Sequence, residues 1–204
     1  YNIINVRLLM AIIKMSVKKY SNKYVVMQNT MIDSYHGFGL DEKRMLLIAS
    51  PLVRLPEIVD EKTNIVIKAV DYARECKIDN NTAYKALQSA SKKLMTRQVH
   101  YEDEDGKISL AQWIIRAKYK DGAVTINFTD EAITMLKIFD KENPYTFFLK
   151  EVALELNKIN AVKLYEIFKK FEKLKTFVIP VEKIIKLLDL PNSYKKMVSN
   201  ILIK

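Results

Sequence analysis

One cysteine, Cys76, stands in a chain of 204 residues. A lone thiol builds no disulfide framework within the chain, which fits a reducing compartment. Histidine is nearly as scarce. His36 and His100 lie far apart, and with Cys76 they give no zinc-ligand spacing, so no metal site is expected. The four glycines, Gly37, Gly39, Gly106 and Gly122, form neither a GxxxxGKS/T phosphate loop nor a GxGxxG turn, so no cofactor is expected. The longest early apolar run, Leu8 to Ile13, is six residues, too short for a membrane span or a signal-peptide core. Arginine is also sparse, 6 against 28 lysines, a usage that points to an AT-rich coding sequence. These absences disfavour most cofactor enzymes, secreted scaffolds and membrane proteins.

What is present is an apolar half (49%) and a basic excess of 34 over 24, a net charge of +10. The first provides for a buried core. The second points to a polyanionic partner, most often nucleic acid, with a lysine-rich solvated surface as the plain alternative. The chain opens on Tyr1 rather than Met, and Met15, followed by the polar stretch Ser16 to Lys23, is the expected natural start. It closes on Lys204 inside a helical pattern, as a fragment would.

Along the chain, residues 1–23 read as an N-terminal arm. Tyr24–Met27 reads as a strand, and Leu40–Ala49 as a helix with Asp41 in or capping its first turn and Pro51 stopping it. Thr63–Val70 reads as a strand running into a short helix, Asp71–Cys76. After a turn at 77–79, a second helix starts at Asn80 or Asn81 and reaches Met95. Its apolar positions Ala83, Ala86, Leu87, Ala90 and Leu94 follow the 3-4 spacing of one buried face. A hairpin is then expected, with strands Arg97–Tyr101 and Ile108–Tyr119 around the acidic tip Glu102 to Asp105. Asp121-Gly122 is a two-residue turn signal into the strand Ala123–Phe128. Helix, turn, helix and β-hairpin in this order make a winged helix. Further on, helices are read over Thr129–Phe139, Tyr145–Leu156, Asn160–Leu174, Val181–Leu188 and from Asn192 or Ser193 to Lys204, with a short strand at Phe177–Ile179. The fold class expected is α+β, with two winged-helix domains, 24–150 and 151–204, the second incomplete at its C-terminus.

The residues suited to DNA lie on these helices and the hairpin. Lys85, Gln88, Lys92, Lys93 and Arg97 occupy the polar face of the second helix or follow it, where they could reach base edges or phosphates in a major groove. Ser193, Lys195, Lys196, Ser199 and Asn200 do the same on the last helix. Arg116, Lys118 and Lys120 line a strand that could face the DNA backbone, although plain surface charge explains them as well. The acidic tip would repel DNA. No catalytic residue stands out. Cys76, Trp113 and the methionines read as core, and Glu102, Asp103, Glu104 and Asp105 as a solvated turn rather than an enzyme's carboxylate cluster.

The string also resembles a known family, the initiator Rep proteins of iteron plasmids, with their paired winged helices. Tyr24-Val25-Val26-Met27-Gln28-Asn29 is similar to that family's V-x-x-S/D-N start, and Leu40 to Leu47 (LDEKRMLL) to its L-x-E-Q-R-L-x-L helix. Ala83-Tyr84-Lys85-Ala86-Leu87 with Leu94 and Arg97 resembles the Y-x-x-L-x-x-A-x-x-L-x-x-R helix. Trp113-Ile114, Tyr119, Gly122 and Phe128 resemble its hairpin, and Ala161 to Ile167 (AVKLYEI) its Y-A-x-R-L-Y-E-L helix. Asn160 and Lys163 depart from that last pattern, where Tyr and Arg are favoured. A lysine keeps the charge but loses bidentate geometry.

The resemblance implies a non-enzymatic, plasmid-encoded initiator in the bacterial cytoplasm. It would bind direct repeats in double-stranded origin DNA, help melt the origin and recruit host replication proteins, a helicase and an initiator ATPase. It would repress its own gene as a homodimer joined through the first domain. The resemblance assigns base reading to Lys195, Lys196, Ser199 and Asn200, and phosphate contacts to Lys85, Lys92, Lys93 and Arg97. Two other readings compete. A winged-helix transcriptional regulator with no replication role would use the same residues, and would favour a palindrome over repeats. A nicking enzyme would need the paired histidines that the chain lacks.

Overall fold

The computed structural model describes residues 21–33, 37–53, 64–102, 108–137, 144–191 and 193–194. Its first strand, β1 (Tyr24–Gln28), pairs antiparallel with β7 (Tyr145–Leu149), with Val25 opposite Phe148. The ladder is closed at both ends. Asn29 N donates to Pro144 O at 2.8 Å and Lys150 N to Lys23 O at 2.9 Å. The expected helix over Tyr145–Leu156 is therefore half strand, and only Lys150–Glu155 is helical (α6). The reason is pairing. In β7, Thr146 and Phe148 turn inward while Phe147 and Leu149 are exposed, the period of two that β1 enforces.

Between these strands lie α1 (Asn29–Asp33) and α2 (Leu40–Val53). Helix α2 runs through Pro51 instead of stopping at it. Pro51 lies in the last turn, where one missing backbone bond is the main loss, and the buried Pro51 and Val53 hold that turn against the core. Asp41 sits in the first turn as expected, accepting a hydrogen bond from Tyr72 Oη at 2.9 Å.

Strand β2 (Ile65–Lys68) leads directly into α3 (Ala69–Cys76), two residues earlier than the sequence pattern indicates. Lys77 takes the left-handed conformation that ends α3, and α4 (Asn80–Leu94) follows. Its cap is Asp79, whose Oδ1 accepts from Thr82 N at 2.9 Å, rather than Asn80 or Asn81. Hydrogen bonds from the Thr82 hydroxyl and then its backbone N–H to the charged carboxylate hold the Asp79 pKa below its usual value. All five expected core positions of α4 are buried.

The single long strand expected over Ile108–Tyr119 is two strands. β4 (Ile108–Gln112) pairs with β3 (Gln98–Glu102), whereas β5 (Ile114–Lys120) joins a different sheet of order β2-β6-β5. The break is Trp113. Its fully buried indole meets Phe38 edge-on at 5.2 Å, and its backbone N and O bond to Arg97 O and Thr129 N. A side chain committed inward at that point leaves β3 and β4 to project as a separate hairpin. Strand β6 (Ala123–Phe128) buries Val124, Ile126 and Phe128 as their alternation predicts, and Thr129 caps α5 (Asp130–Lys137).

Asp121 (φ 50°) and Gly122 (φ 70°) form the β5–β6 turn, both in the left-handed region, as a two-residue type I′ turn demands. Nothing lies within 4 Å of a Cβ added at Gly122. Gly122→Ala is therefore expected to cost about 1–2 kcal/mol from backbone strain alone. Urea unfolding checks this.

After α6 come α7 (Ile159–Phe171) and α8 (Val181–Leu188). The strand expected at Phe177–Ile179 does not form. Phe177 instead stacks on Phe171, with ring centroids 4.8 Å apart. Helix α7 packs on β7 and α1, with Phe148 edge-on to Tyr165 at 5.4 Å and Lys170 paired to Asp33.

Three consecutive charges at the start of α2 are buried, and each has polar partners, although Arg44 Nε is buried without one among the described residues. Glu42 Oε2 accepts from Gly39 N at 2.6 Å, and Lys43 Nζ lies 2.8 Å from Glu166 of α7. Arg44 donates to Leu154 O, Leu156 O and Asn157 Oδ1, gripping the α6–α7 connection. Buried charge persists only when paired and hydrogen-bonded. These groups therefore fix how α7 sits on the first unit.

Candidate nucleic-acid interface

Helices α3 and α4 with the intervening turn at 77–79 form a helix-turn-helix, anchored from behind. Ala83, Leu87 and Leu94 are buried, and the Ser91 and Tyr119 hydroxyls meet at 2.7 Å, tying α4 to β5. At about 100° per residue, the side opposite this buried line carries Asn81, Lys85, Gln88 and Lys92. Asn81, Lys85 and Lys92 are exposed and Gln88 is half-buried. From Asn81 to Lys92 the line is about 16 Å long at 1.5 Å per residue. It is polar and basic and contains no carboxylate. An amide, a cation, an amide and a cation in one row can donate to phosphates and to base edges.

Lys93 is exposed but lies on the flank of the helix, away from this row. Arg97 is placed differently from the others. Its Nε donates to the buried Glu42 Oε1 at 2.9 Å, and its carbonyl accepts from Trp113 N. Arg97 thus ties the root of the β3–β4 hairpin to the start of α2. Arg97→Ala is expected to destabilise the fold by about 1–3 kcal/mol by leaving Glu42 buried without its cation. It should leave the salt dependence of DNA binding unchanged, because no phosphate contact is lost. Thermal unfolding and a salt titration separate the two effects.

Arg116, Lys118 and Lys120 sit together on the outer face of the β2-β6-β5 sheet. That sheet packs its inner face on α2 and α4. Its outer face therefore points away from the row on α4. Ser193 is exposed. Lys195, Lys196, Ser199 and Asn200 lie outside the described residues, as do His36, Asp103, Glu104 and Asp105. Asn81 is the residue that sequence reasoning missed. Taking it as a cap hid its place at the i−4 position to Lys85.

Among the described residues no group of three or more His, Cys, Asp and Glu could hold a metal. None of their helices is long and apolar enough to cross a membrane. Cys76 is buried against the core, and burial pushes its thiol up to about 11, which leaves it unreactive as expected.

A family model described as "Initiator Replication protein, WH1" matches residues 24–169. The chain belongs to that replication-initiator family. The matched span runs from β1 into α7, so it takes in the helix-turn-helix, both sheets, the hairpin and the buried charge cluster. Among solved structures, the chain is similar to the Pi initiator protein crystallised in complex with iteron DNA. The two are 20% identical with a TM-score of 0.68, over 84% of this chain and 74% of that one. That likeness shows the shared fold, the mixed helix-and-sheet winged-helix architecture expected from the sequence. A WH1 domain named MSBI1.176, a replication protein isolated from a multiple sclerosis patient, is 22% identical over 53% of this chain and 87% of its own, with a TM-score of 0.44. Comparison with curated proteins finds no match.

The family motifs read from the sequence turn out to be largely structural. Lys43 of the LDEKRMLL helix meets Glu166 of the AVKLYEI helix, Arg44 and Lys163 bond to backbone, Glu42 bonds to Gly39 N and Arg97, and Tyr165 packs on Phe148. Lys163 donates to Leu187 O at 3.1 Å. Burial and the neighbouring Lys43 hold its pKa below the usual lysine value.

Proposed function

We propose that this protein is a plasmid DNA replication initiator that binds repeated sequences in its origin. The carrying observation is the carboxylate-free row Asn81, Lys85, Gln88 and Lys92 on the second helix of a helix-turn-helix, in a chain of the replication-initiator family. In this reading α4 lies along a major groove. Lys85 and Lys92 neutralise phosphates, Asn81 and Gln88 are within reach of base edges, and Lys93 adds charge at the flank. A second winged-helix domain beginning near residue 151 contributes Ser193, Lys195, Lys196, Ser199 and Asn200 as base readers. The Pi initiator's crystallisation with iteron DNA supports this choice of ligand.

The finer roles follow from the same reading. The bound initiator helps melt the adjacent origin DNA and recruits the host helicase and initiator ATPase. As a homodimer joined through its first domain it represses its own gene. It works in the bacterial cytoplasm and does so without catalysis. The test is propagation. A plasmid carrying this gene and its flanking repeats, with no other origin, is expected to replicate, and to fail when the repeats are scrambled. A plasmid that never replicates, together with regulated transcription from the gene's own promoter, would leave the transcriptional-regulator reading instead.

A further inference from the structure

The outer face of the β2-β6-β5 sheet is a second basic surface, built by register. A bulge at Ile115 shifts β5 so that Arg116, Lys118 and Lys120 follow one another on the outside while Ala117 and Tyr119 turn in. Across the sheet, Lys120 and Lys68 flank Ala123, and Lys118 and Val66 flank Thr125. At about 4.8 Å per strand and 6.8 Å per pair of residues, the four cations frame a patch roughly 10 by 13 Å. Lys68, Arg116 and Lys118 have no carboxylate partner among the described residues, and Lys120 has only the exposed Asp121 at the patch's corner, 3.7 Å away. Like charges packed side by side on one face of a sheet oppose folding. An anionic occupant relieves that repulsion.

The surroundings favour a protein over nucleic acid. This face looks away from the α4 row, so one straight duplex does not lie on both. No aromatic ring lies on it among the described residues, because Tyr119 turns inward to Ser91, and single strands bind mainly by stacking on such rings. Instead the cations are interleaved with exposed aliphatic side chains, Val66 (49%) and the bulged Ile115 (56%), apolar area that a protein segment can cover.

We infer that this sheet face is a docking surface for an extended acidic segment of a protein partner. Alternate carboxylates of such a segment would meet Arg116, Lys118, Lys120 and Lys68. The inference rests on reading α4 as the duplex-facing helix, and the test separates the two claims. A short fluorescein-labelled peptide of alternating Glu and Thr is titrated with the full chain, with Gln replacing Glu as control. A labelled duplex carrying the flanking repeats is titrated in parallel. Three variants are compared with wild type: the quadruple K68Q/R116Q/K118Q/K120Q, Thr125→Glu, and K85A/K92A. Thr125→Glu leaves all four cations but places a carboxylate among them. The expected result is that the first two weaken peptide binding by about tenfold or more and change duplex binding by less than about twofold, while K85A/K92A does the reverse. Equal binding of the Glu and Gln peptides overturns the inference. So does a quadruple variant that loses the duplex instead of the peptide, because the face would then serve nucleic acid. Peptide binding that persists in a protein with no affinity for the duplex sinks the reading of α4 and leaves this one standing.

Discussion

Glu166→Ala is expected to destabilise the protein by about 3–5 kcal/mol, the range for removing one partner of a buried ion pair. The side chains of Lys43 and Glu166 are 4% and 3% exposed and meet at 2.8 Å, among Met31, Ile32, Phe38, Ile167 and Leu187. Removing the carboxylate strands the buried Lys43 beside a second cation, Lys163, whose other anionic neighbour is Asp189. Lys43→Met is expected to cost less, because Lys163 remains near Glu166 to neutralise it. The double variant K43M/E166L is expected to recover most of the loss, since an apolar pair avoids the desolvation cost. A double-mutant cycle in urea measures all three. A Lys43→Met loss exceeding that of Glu166→Ala would contradict the arrangement.

Acidity adds a sign to this prediction. Burial pushes the Glu166 carboxyl above the usual carboxylate range, against the opposing pull of Lys43. The native state then holds a proton that the unfolded state has already released. In the window from about pH 4.3, the ordinary Glu value, up to the raised native value, this group's contribution is full at the acid end. It is lost as pH rises through the native pKa. Glu166→Gln is expected to remove that downward slope of stability with pH.

The second large effect concerns DNA. Removing Lys85 and Lys92 together is expected to lower the slope of log affinity against log salt by about 2, at roughly 0.9 per phosphate contact. Between about 50 and 200 mM salt, two contacts amount to roughly a tenfold difference in affinity. Lys93→Ala, on the flank of α4, is expected to change the slope by less than either. Arg97→Ala is expected to leave it where it is. Anisotropy titrations at several salt concentrations read these three variants and the single Lys85→Ala. An Arg97 effect on slope equal to that of Lys85 would mean that Arg97 leaves Glu42 when DNA binds.

Local periodicity made part of this legible in the sequence. The 3-4 spacing of Ala83, Ala86, Leu87, Ala90 and Leu94 marks the buried side of α4, and so also its polar side. Alternation marks β6, and Asp121-Gly122 marks its turn. What escaped were features decided by distant partners. YTFFL reads as helix until β1, more than a hundred residues earlier in the chain, is laid beside it. The burial of Glu42, Lys43 and Arg44 is not visible in the sequence, because Arg97, Glu166 and the Leu154 carbonyl that meet them come much later in the chain. For the same reason the Arg97–Glu42 bond is not visible in the sequence. A lysine on a helix face and an arginine bound for an internal carboxylate look alike in a string of letters. Trp113 was legible as core, but not as the hinge that splits one strand between two sheets.

The central claim is that the row on α4 binds repeated origin DNA by sequence. It is tested most directly by fluorescence anisotropy of the whole chain on a duplex carrying the repeats beside its gene, against a shuffled duplex of the same composition, at about 150 mM salt. The account predicts tighter binding to the repeats that survives at this salt and is lost in Asn81→Ala/Gln88→Ala. Equal binding to both duplexes, fading together as salt is raised, would contradict it.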